Sequence, residues 1–213
     1  MHPNAAFRRT AGPDGLSGDE AAARALHEAL IAQVGFGMVF LPTPDGPRVA
    51  HTPLLSTGDG AVQFHLARGN ALTRHLDGAN ALALINGPDA YVSPRWYAAA
   101  DQVPTWNYVA LELEGRVRKM ERDGLIALLE ALSARQEALV TDAGAPWTMA
   151  KMAPAPLGRM LDAIVGFELE IAAWRPTFKL SQNKPADERA RVIAGLEAQG
   201  SVAMAQLMRN LAG

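Results

Sequence analysis

Thr105-Trp106-Asn107-Tyr108-Val109-Ala110-Leu111-Glu112-Leu113-Glu114-Gly115-Arg116-Val117-Arg118-Lys119-Met120 decides the fold class. Val109, Leu111 and Leu113 alternate with Glu112 and Glu114, the period-two pattern of a strand with one buried face. The stretch predicts one long strand over 105–120, and Gly115 inside it predicts a bulge or sharp bend. Upstream, Gly35 to Phe40 reads as a buried strand, with Pro42-Thr43-Pro44-Asp45-Gly46-Pro47 as a hairpin loop. Arg48 to Leu55 and Ala61 to Ala67 continue a meander, and Ala79 to Ile85 is a strand that Asn86-Gly87-Pro88 breaks. Downstream, Ile164 to Ala173 is the last strand, and Pro176 to Asn183 is a loop. Many short strands with few helices between them argue for an antiparallel barrel over a doubly wound sheet.

Helices flank this β core. Asp19 to Gln33 carries Ala22, Ala25, Leu26, Ala29 and Leu30 at helical spacing, after a turn-rich entry at 12–18 with Ser17 or Asp19 as N-cap. Asn70 to Leu76 and Leu157 to Ala163 are short helices, Arg122 to Leu139 is a longer one, and 146–156 is irregular. Ala186 to Leu211 makes one or two more. The reading is mainly β with flanking helices (α+β) in a single domain over 1–213. It has a helical lead-in to about 33 and a C-terminal helical extension from about 184.

Composition narrows the chemistry. A chain of 213 residues buries roughly 70% of its unfolded surface and needs no staples. It contains no cysteine, which excludes disulfides, thiolate catalysis and Cys-ligated metals. A net charge of −2 gives no global attraction to nucleic acid or anionic membrane. No apolar run approaches a membrane span of about 18 residues, and no signal sequence follows Arg8-Arg9. A cytoplasmic protein without membrane contact is expected. GxSxG, HExxH, Walker and Rossmann patterns are missing, so no residue is assigned a catalytic or metal role and any chemistry belongs to a cofactor.

Three clusters mix aromatics, amides and a base in a way that plain core strands do not. In His65-Leu66-Ala67-Arg68-Gly69-Asn70 a strand ends where a helix opens. Free backbone N–H groups there, beside a guanidinium, suit an anion, with charge-assisted bonds of about 1.5–3 kcal/mol each. A surface arginine and an Asn70 helix cap account for the same residues. In Pro104-Thr105-Trp106-Asn107-Tyr108, Trp106 and Tyr108 share one strand face and Asn107 takes the other. This arrangement can wall a planar ring, or it is aromatic core packing. In Lys179-Leu180-Ser181-Gln182-Asn183, three side chains offer a dense donor set, or the segment is an exposed loop capping the next helix. His51 and His65 on neighbouring strands converge if those strands pair, more simply as hydrogen-bonding groups than as metal ligands.

Together with Gly87-Pro88-Asp89-Ala90-Tyr91-Val92-Ser93-Pro94-Arg95-Trp96-Tyr97 and the N-terminal Met1-His2-Pro3…Phe7, these motifs make the chain resemble the PaiB family of FMN-binding negative transcriptional regulators, nearly end to end. The resemblance implies an FMN-binding split β-barrel of antiparallel Greek-key type, dimeric, with flavin at the subunit interface. It implies FMN contacts from His65, Leu66, Arg68, Asn70, Thr105, Trp106, Asn107, Lys179, Ser181, Gln182 and Asn183. Arg68 is the anion anchor, although related pyridoxamine-phosphate-oxidase-like barrels carry a denser basic cluster. Thr105 offers a hydroxyl to a ring edge, and Lys179 a charge that stabilises reduced flavin. The 91–97 segment is read as a loop shaping a pocket or the dimer interface. Three roles follow: a regulator with flavin as ligand or redox sensor, a flavin-dependent oxidoreductase, or a haem-handling barrel. DNA or a regulatory protein would be the regulator's partner. Arg116-Val117-Arg118-Lys119 and the run with Arg175, Lys179, Lys184, Arg189 and Arg191 are the basic segments, balanced by Glu121, Asp187 and Glu188 as solvated charge.

Overall fold

The computed structural model describes residues 20–141 and 144–211. The expected turn-rich entry at 12–18, its N-cap and the N-terminal motif lie outside them. Seven strands form one antiparallel sheet: β1 (Phe36–Thr43), β2 (Gly46–Pro53), β3 (Leu55–Ser56), β4 (Ala61–Ala67), β5 (Asn80–Val92), β6 (Thr105–Lys119) and β7 (Ile164–Lys179). Their order is β2-β1-β5-β6-β7-β4-β3. Helices α1 (Glu20–Val34), α2 (Thr73–Leu76), α3 (Arg122–Glu137), α4 (Pro154–Asp162), α5 (Ala186–Ala198) and α6 (Val202–Leu211) flank it. The α+β reading holds. Two compact units divide the residues, one comprising 31–84 and 113–174, the other 1–30, 85–112 and 175–213.

In the first unit, β1 and β2 pair in register from Phe36↔Pro53 to Thr43↔Gly46, closed by a tight turn in which Gly46 adopts φ +97°. β4 pairs with β7 from Ala61↔Glu170 to Ala67↔Ile164. β2 and β3 stand at opposite ends of the strand order, yet Thr52 Oγ1 donates to the His65 carbonyl at 2.8 Å and Leu54 N to Gly35 O at 3.0 Å. The strands of this unit therefore curl until β2 meets β4. Val39, Leu41, Val62, Leu66 and Leu113 fill the interior, with Phe64 stacked on Phe167 at 5.6 Å between centroids. On the outside, α3 lays Leu125, Leu128 and Leu132 inward. Leu125 comes close enough to Gly166 of β7 that a Cβ there would lie 3.2 Å from it.

The second unit packs Ile85, Val92, Val109 and Leu111 of its strands, together with Phe178 and Leu180, as buried core. Helices α5 and α6 bury Val192, Leu196, Met204 and Met208. The Trp96 ring lies against Gly195 of α5, where any Cβ would overlap it.

Four local expectations are corrected. Asn86-Gly87-Pro88 does not break the strand, because β5 runs on to Val92. Gly87 sits where a Cβ would lie 3.0 Å from that of Val109, so glycine here admits a neighbouring side chain and does not turn the chain. Residues 91–97 are accordingly not one loop: Tyr91 and Val92 end β5, and Pro94–Trp96 is a 3-10 turn capped by Ser93 Oγ. β7 likewise continues through Pro176 to Lys179. The helix expected over 70–76 shrinks to Thr73–Leu76, since Asn70 spends its side chain on a turn before it. Gly115 lies within the continuous β6: its missing Cβ would overlap the Glu170 carbonyl, so β7 passes there at a distance only glycine permits.

Gly115→Ala is expected to destabilise the protein by about 3 kcal/mol, because the obstacle is backbone and cannot swing aside. Urea unfolding followed by circular dichroism measures it, and a loss below 1 kcal/mol would mean that β7 moves freely away from β6.

Candidate flavin site

Within the first unit, His65 sits mid-strand on β4, paired with Gly166 of β7. Val62, Phe64 and Leu66 are buried in the core, and the alternation turns His65 to the opposite, half-buried face. Its Nδ1 is buried with no hydrogen-bond partner among the described residues. Burial also lowers the imidazole pKa below its ordinary value, so the ring is neutral at pH 7 and offers one donor and one acceptor. His65 lines a cavity of about 410 Å³ whose walls include Phe36, Pro53, Leu129, Leu132 and Trp147, with Ser133, Gln136 and Glu137 as polar members. This volume, apolar lining and small number of polar groups are those of a small-molecule site.

Leu66 is core, so only its backbone is available for contact. Arg68 donates through Nε to the Asp162 carbonyl at 2.8 Å and through Nη2 to the Ile164 carbonyl at 3.5 Å, capping the end of α4. Its Nη1 has no protein partner among the described residues, and the guanidinium is exposed. The expected row of free backbone donors is largely occupied. Arg68 N bonds Ala163 O, Asn70 N bonds Ala67 O, and Asn70 Oδ1 accepts from Leu72 N at 2.9 Å. Arg68, not the backbone, is what this segment offers an anion. His51 is exposed and lies opposite Met38 on β2, and the described residues contain no group of three or more metal-binding side chains.

The remaining assigned residues lie in the second unit. Asn107 is fully buried: its Nδ2 donates to Ser181 Oγ at 3.0 Å and Met208 Sδ at 3.3 Å, while Ser181 Oγ donates back to its Oδ1 at 3.2 Å. Ser181 adopts φ +61°, an uncommon conformation for a residue other than glycine, held by this reciprocal pair. Gln182 accepts from Leu180 N at 2.8 Å and donates to Phe178 O, both within its own turn. Asn107, Ser181 and Gln182 therefore spend their hydrogen bonds internally. The others keep hydrogen-bonding capacity or exposed surface. Lys179 Nζ donates to Thr105 Oγ1, and burial lowers its pKa. Trp106 is 54% exposed and meets Tyr91 edge to face at 6.0 Å. Asn183 is exposed.

Two groups in this unit were misread or unassigned in the sequence. Glu188 is buried, not solvated, and its carboxylate accepts from Ala98 N at 3.0 Å and Ala99 N at 3.1 Å. Lys184 donates to Gln102 Oε1 at 2.6 Å and stands 5.2 Å over the Tyr97 ring. Burial raises the Tyr97 pKa, Glu188 adds to the rise, and a hydrogen bond with Ser181 opposes it. These bonds fix the 97–102 segment on α5 and stiffen the turn that follows Lys179. In the first unit, Trp147 was missed because it lies in an irregular segment. Its flanking Pro146 was the available signal. Leu129 and Leu132 were legible only as a helix face.

This architecture, a seven-stranded antiparallel sheet with flanking helices, is that of split barrels. The fold matches the FAD and heme binding protein from Mycobacterium smegmatis, with TM-score 0.56 and 18% identity over 78% of this chain and 76% of that one. It also matches the conserved hypothetical protein Rv2991 from Mycobacterium tuberculosis, with TM-score 0.51 and 14% identity over 78% and 89%. Residues 19–173 match the family described as "Putative FMN-binding domain". The chain is 30% identical over 187 residues to the Bacillus subtilis (strain 168) "Protease synthase and sporulation protein PAI 2", covering 84% of this chain and 88% of that protein. The chain belongs to this PaiB-type family of FMN-binding domains, and FMN is its cofactor. Among the described residues no helix is long and apolar enough to cross a membrane.

Acid should weaken the fold through its buried imidazoles. His27 on α1 has its pKa lowered to about 4 by burial and by Arg24. A group with a depressed folded pKa favours the native state above its unfolded value of about 6.5 and loses that contribution as pH falls toward 4. Between pH 7 and pH 5 the loss from His27 alone is about 2 kcal/mol. Thermal unfolding across this range measures it, and His27→Gln is expected to flatten the slope.

Proposed function

We propose that the chain binds FMN in a homodimer, with the ring in the His65 cavity and the phosphate on Arg68, and that the flavin serves as ligand or redox sensor of a PaiB-type regulator. The observation that carries this reading is the buried, unpartnered Nδ1 of His65 beside an apolar cavity of about 410 Å³. A buried polar atom left unsatisfied costs about 1–3 kcal/mol, which a ligand with complementary edge atoms recovers. The flavin ring is such a ligand, flat and mostly apolar with polar atoms along its edge. FMN, when bound, supplies reversible one- and two-electron redox chemistry.

The chain's own residues then have distinct tasks. His65, held neutral, exchanges a hydrogen bond with a ring edge without adding charge. Arg68 keeps its Nη1 donors for a phosphate while its other nitrogens are anchored on carbonyls 162 and 164. Thr105, Trp106, Lys179 and Asn183 are the groups a second protomer would bring: a hydroxyl, an exposed indole, an ammonium without a carboxylate partner among the described residues, and an exposed amide. The exposed Trp106–Tyr91 pair is apolar surface that a partner subunit would remove from water.

A regulatory role through a partner protein fits better than direct contact with DNA. Arg118 is paired with Glu170, and Arg191 stands near Glu188, which dilutes both basic segments. The oxidoreductase reading is tested against the regulator by one experiment. FMN is titrated into the purified protein, and NADH is then added without air. Tight binding without bleaching supports a sensor, and rapid bleaching supports an oxidoreductase.

Arg68→Ala is expected to weaken FMN binding by roughly 2 kcal/mol, about thirtyfold. An unchanged dissociation constant would remove Arg68 from the phosphate site. Sedimentation equilibrium at micromolar concentration is expected to give a dimer, and a monomer would end the two-chain site.

A further inference from the structure

We propose a second ligand site in the first unit: a cavity of about 460 Å³ between α3 and the segment Pro146–Ala150, built for an uncharged or cationic aromatic molecule. The flavin reading supplies its role as the place of a co-ligand or acceptor next to the cofactor. The recognition chemistry below stands without it.

The void exists because of side-chain size. On its α3 side, Ala134 and Ala138 stand where larger residues would close the gap. Facing them are Trp147 and the buried Met149. An indole and a thioether are the partners a flat apolar ring prefers, by stacking and by sulfur–aromatic contact. Two hydroxyls, Ser133 and Thr148, provide directional polar contacts.

Electrostatics fixes the ligand class. Among the described residues lining the cavity, Glu130 is the sole charged one, and it is acidic. A phosphate would face a carboxylate, and the nearby Lys151 ammonium, absent from the described lining, is engaged by the carbonyls of Ala145 and Pro146, so FMN and phosphorylated nicotinamides are poor occupants. A neutral aromatic meets no penalty, and a cation gains from Glu130.

The position ties this cavity to the flavin one. Ser133 and Trp147 line both. Trp147 is therefore a shared wall, 38% exposed, tethered through its backbone N–H to Glu137 Oε2 at 2.8 Å. Lys151 Nζ secures the strap by donating to Ala145 O at 3.1 Å and Pro146 O at 2.8 Å. A ring in the second cavity and one in the first would press on the same indole from either side.

The test uses the full chain, with and without FMN, and two probes: 2-naphthol, uncharged at pH 7, and naphthalene-2-sulfonate, its anionic counterpart. Calorimetry is expected to show one 2-naphthol site per chain, with the sulfonate at least about tenfold weaker. Ala134→Phe fills the cavity from an exposed helix position and should cost 2-naphthol about tenfold or more, while FMN affinity stays within about twofold. Ala138→Phe serves as the second filling variant. Absence of 2-naphthol binding, equal binding of the sulfonate, or binding unaffected by both variants overturns the proposal. Protein that binds 2-naphthol in this way but not FMN would overturn the flavin reading and leave the second site standing.

Discussion

The first unit depends on one close approach of two backbones. At Gly115 the chain of β6 comes so near Glu170 and Ile171 of β7 that no side chain fits between them. This contact fixes where β7 runs, and β7 in turn is the pairing partner of β4 along the whole of Ala61–Ala67. Register along a strand leaves no freedom of face, because a slip of one residue would exchange Phe64 and Leu66 for Gln63 and His65. His65 therefore points out toward α3 because Phe64, stacked on Phe167, points in.

From that placement the chemistry follows. Turned outward beneath α3, the imidazole is half-buried, and desolvation keeps it neutral near pH 7. A charged histidine there would repel cationic ligands and bind anions without discrimination. A neutral ring instead offers one donor and one acceptor position, and its buried Nδ1 has no partner among the described residues. On the proposed reading, the positive charge for a phosphate would come from Arg68, three residues further on and outside the apolar cavity lining. Separating apolar recognition from charge in this way would let each work in the dielectric that suits it.

The strands and flanking helices were legible because alternation and helical spacing are local. Ala61–Ala67 and the 105–119 strand follow directly from such patterns. Errors fell where glycine and proline stop meaning what they usually mean. Gly87 reads as part of a break and Gly115 as a bulge or bend, yet both answer to crowding by residues far away in sequence, which no local pattern carries. Pro88 and Pro176 read as strand ends, though β5 and β7 pass through both. In the candidate site, the residue types in each cluster were readable, but their partners were not. Asn107, Ser181 and Gln182 look like free donors in sequence and are consumed by one another and by their own turn. Glu188 looks like surface charge and is a buried acceptor for two backbone amides. Partnership is a three-dimensional property, and it decides whether a polar residue is a tool or a brace.

The same distinction separates the two cavities on α3. Both have apolar walls and share Trp147, so shape alone would let one ligand use either. What differs is the polar minority. One offers a neutral imidazole with an unsatisfied nitrogen, and Arg68 follows on the same chain segment. The other offers two hydroxyls and a carboxylate. A phosphorylated ring system gains from the first arrangement and loses in the second, whereas an unphosphorylated ring tolerates the second at no electrostatic cost. On the two proposals together, specificity would be a difference of affinities set by one carboxylate and one arginine, and the shared indole would be the surface through which occupancy of one cavity is felt in the other.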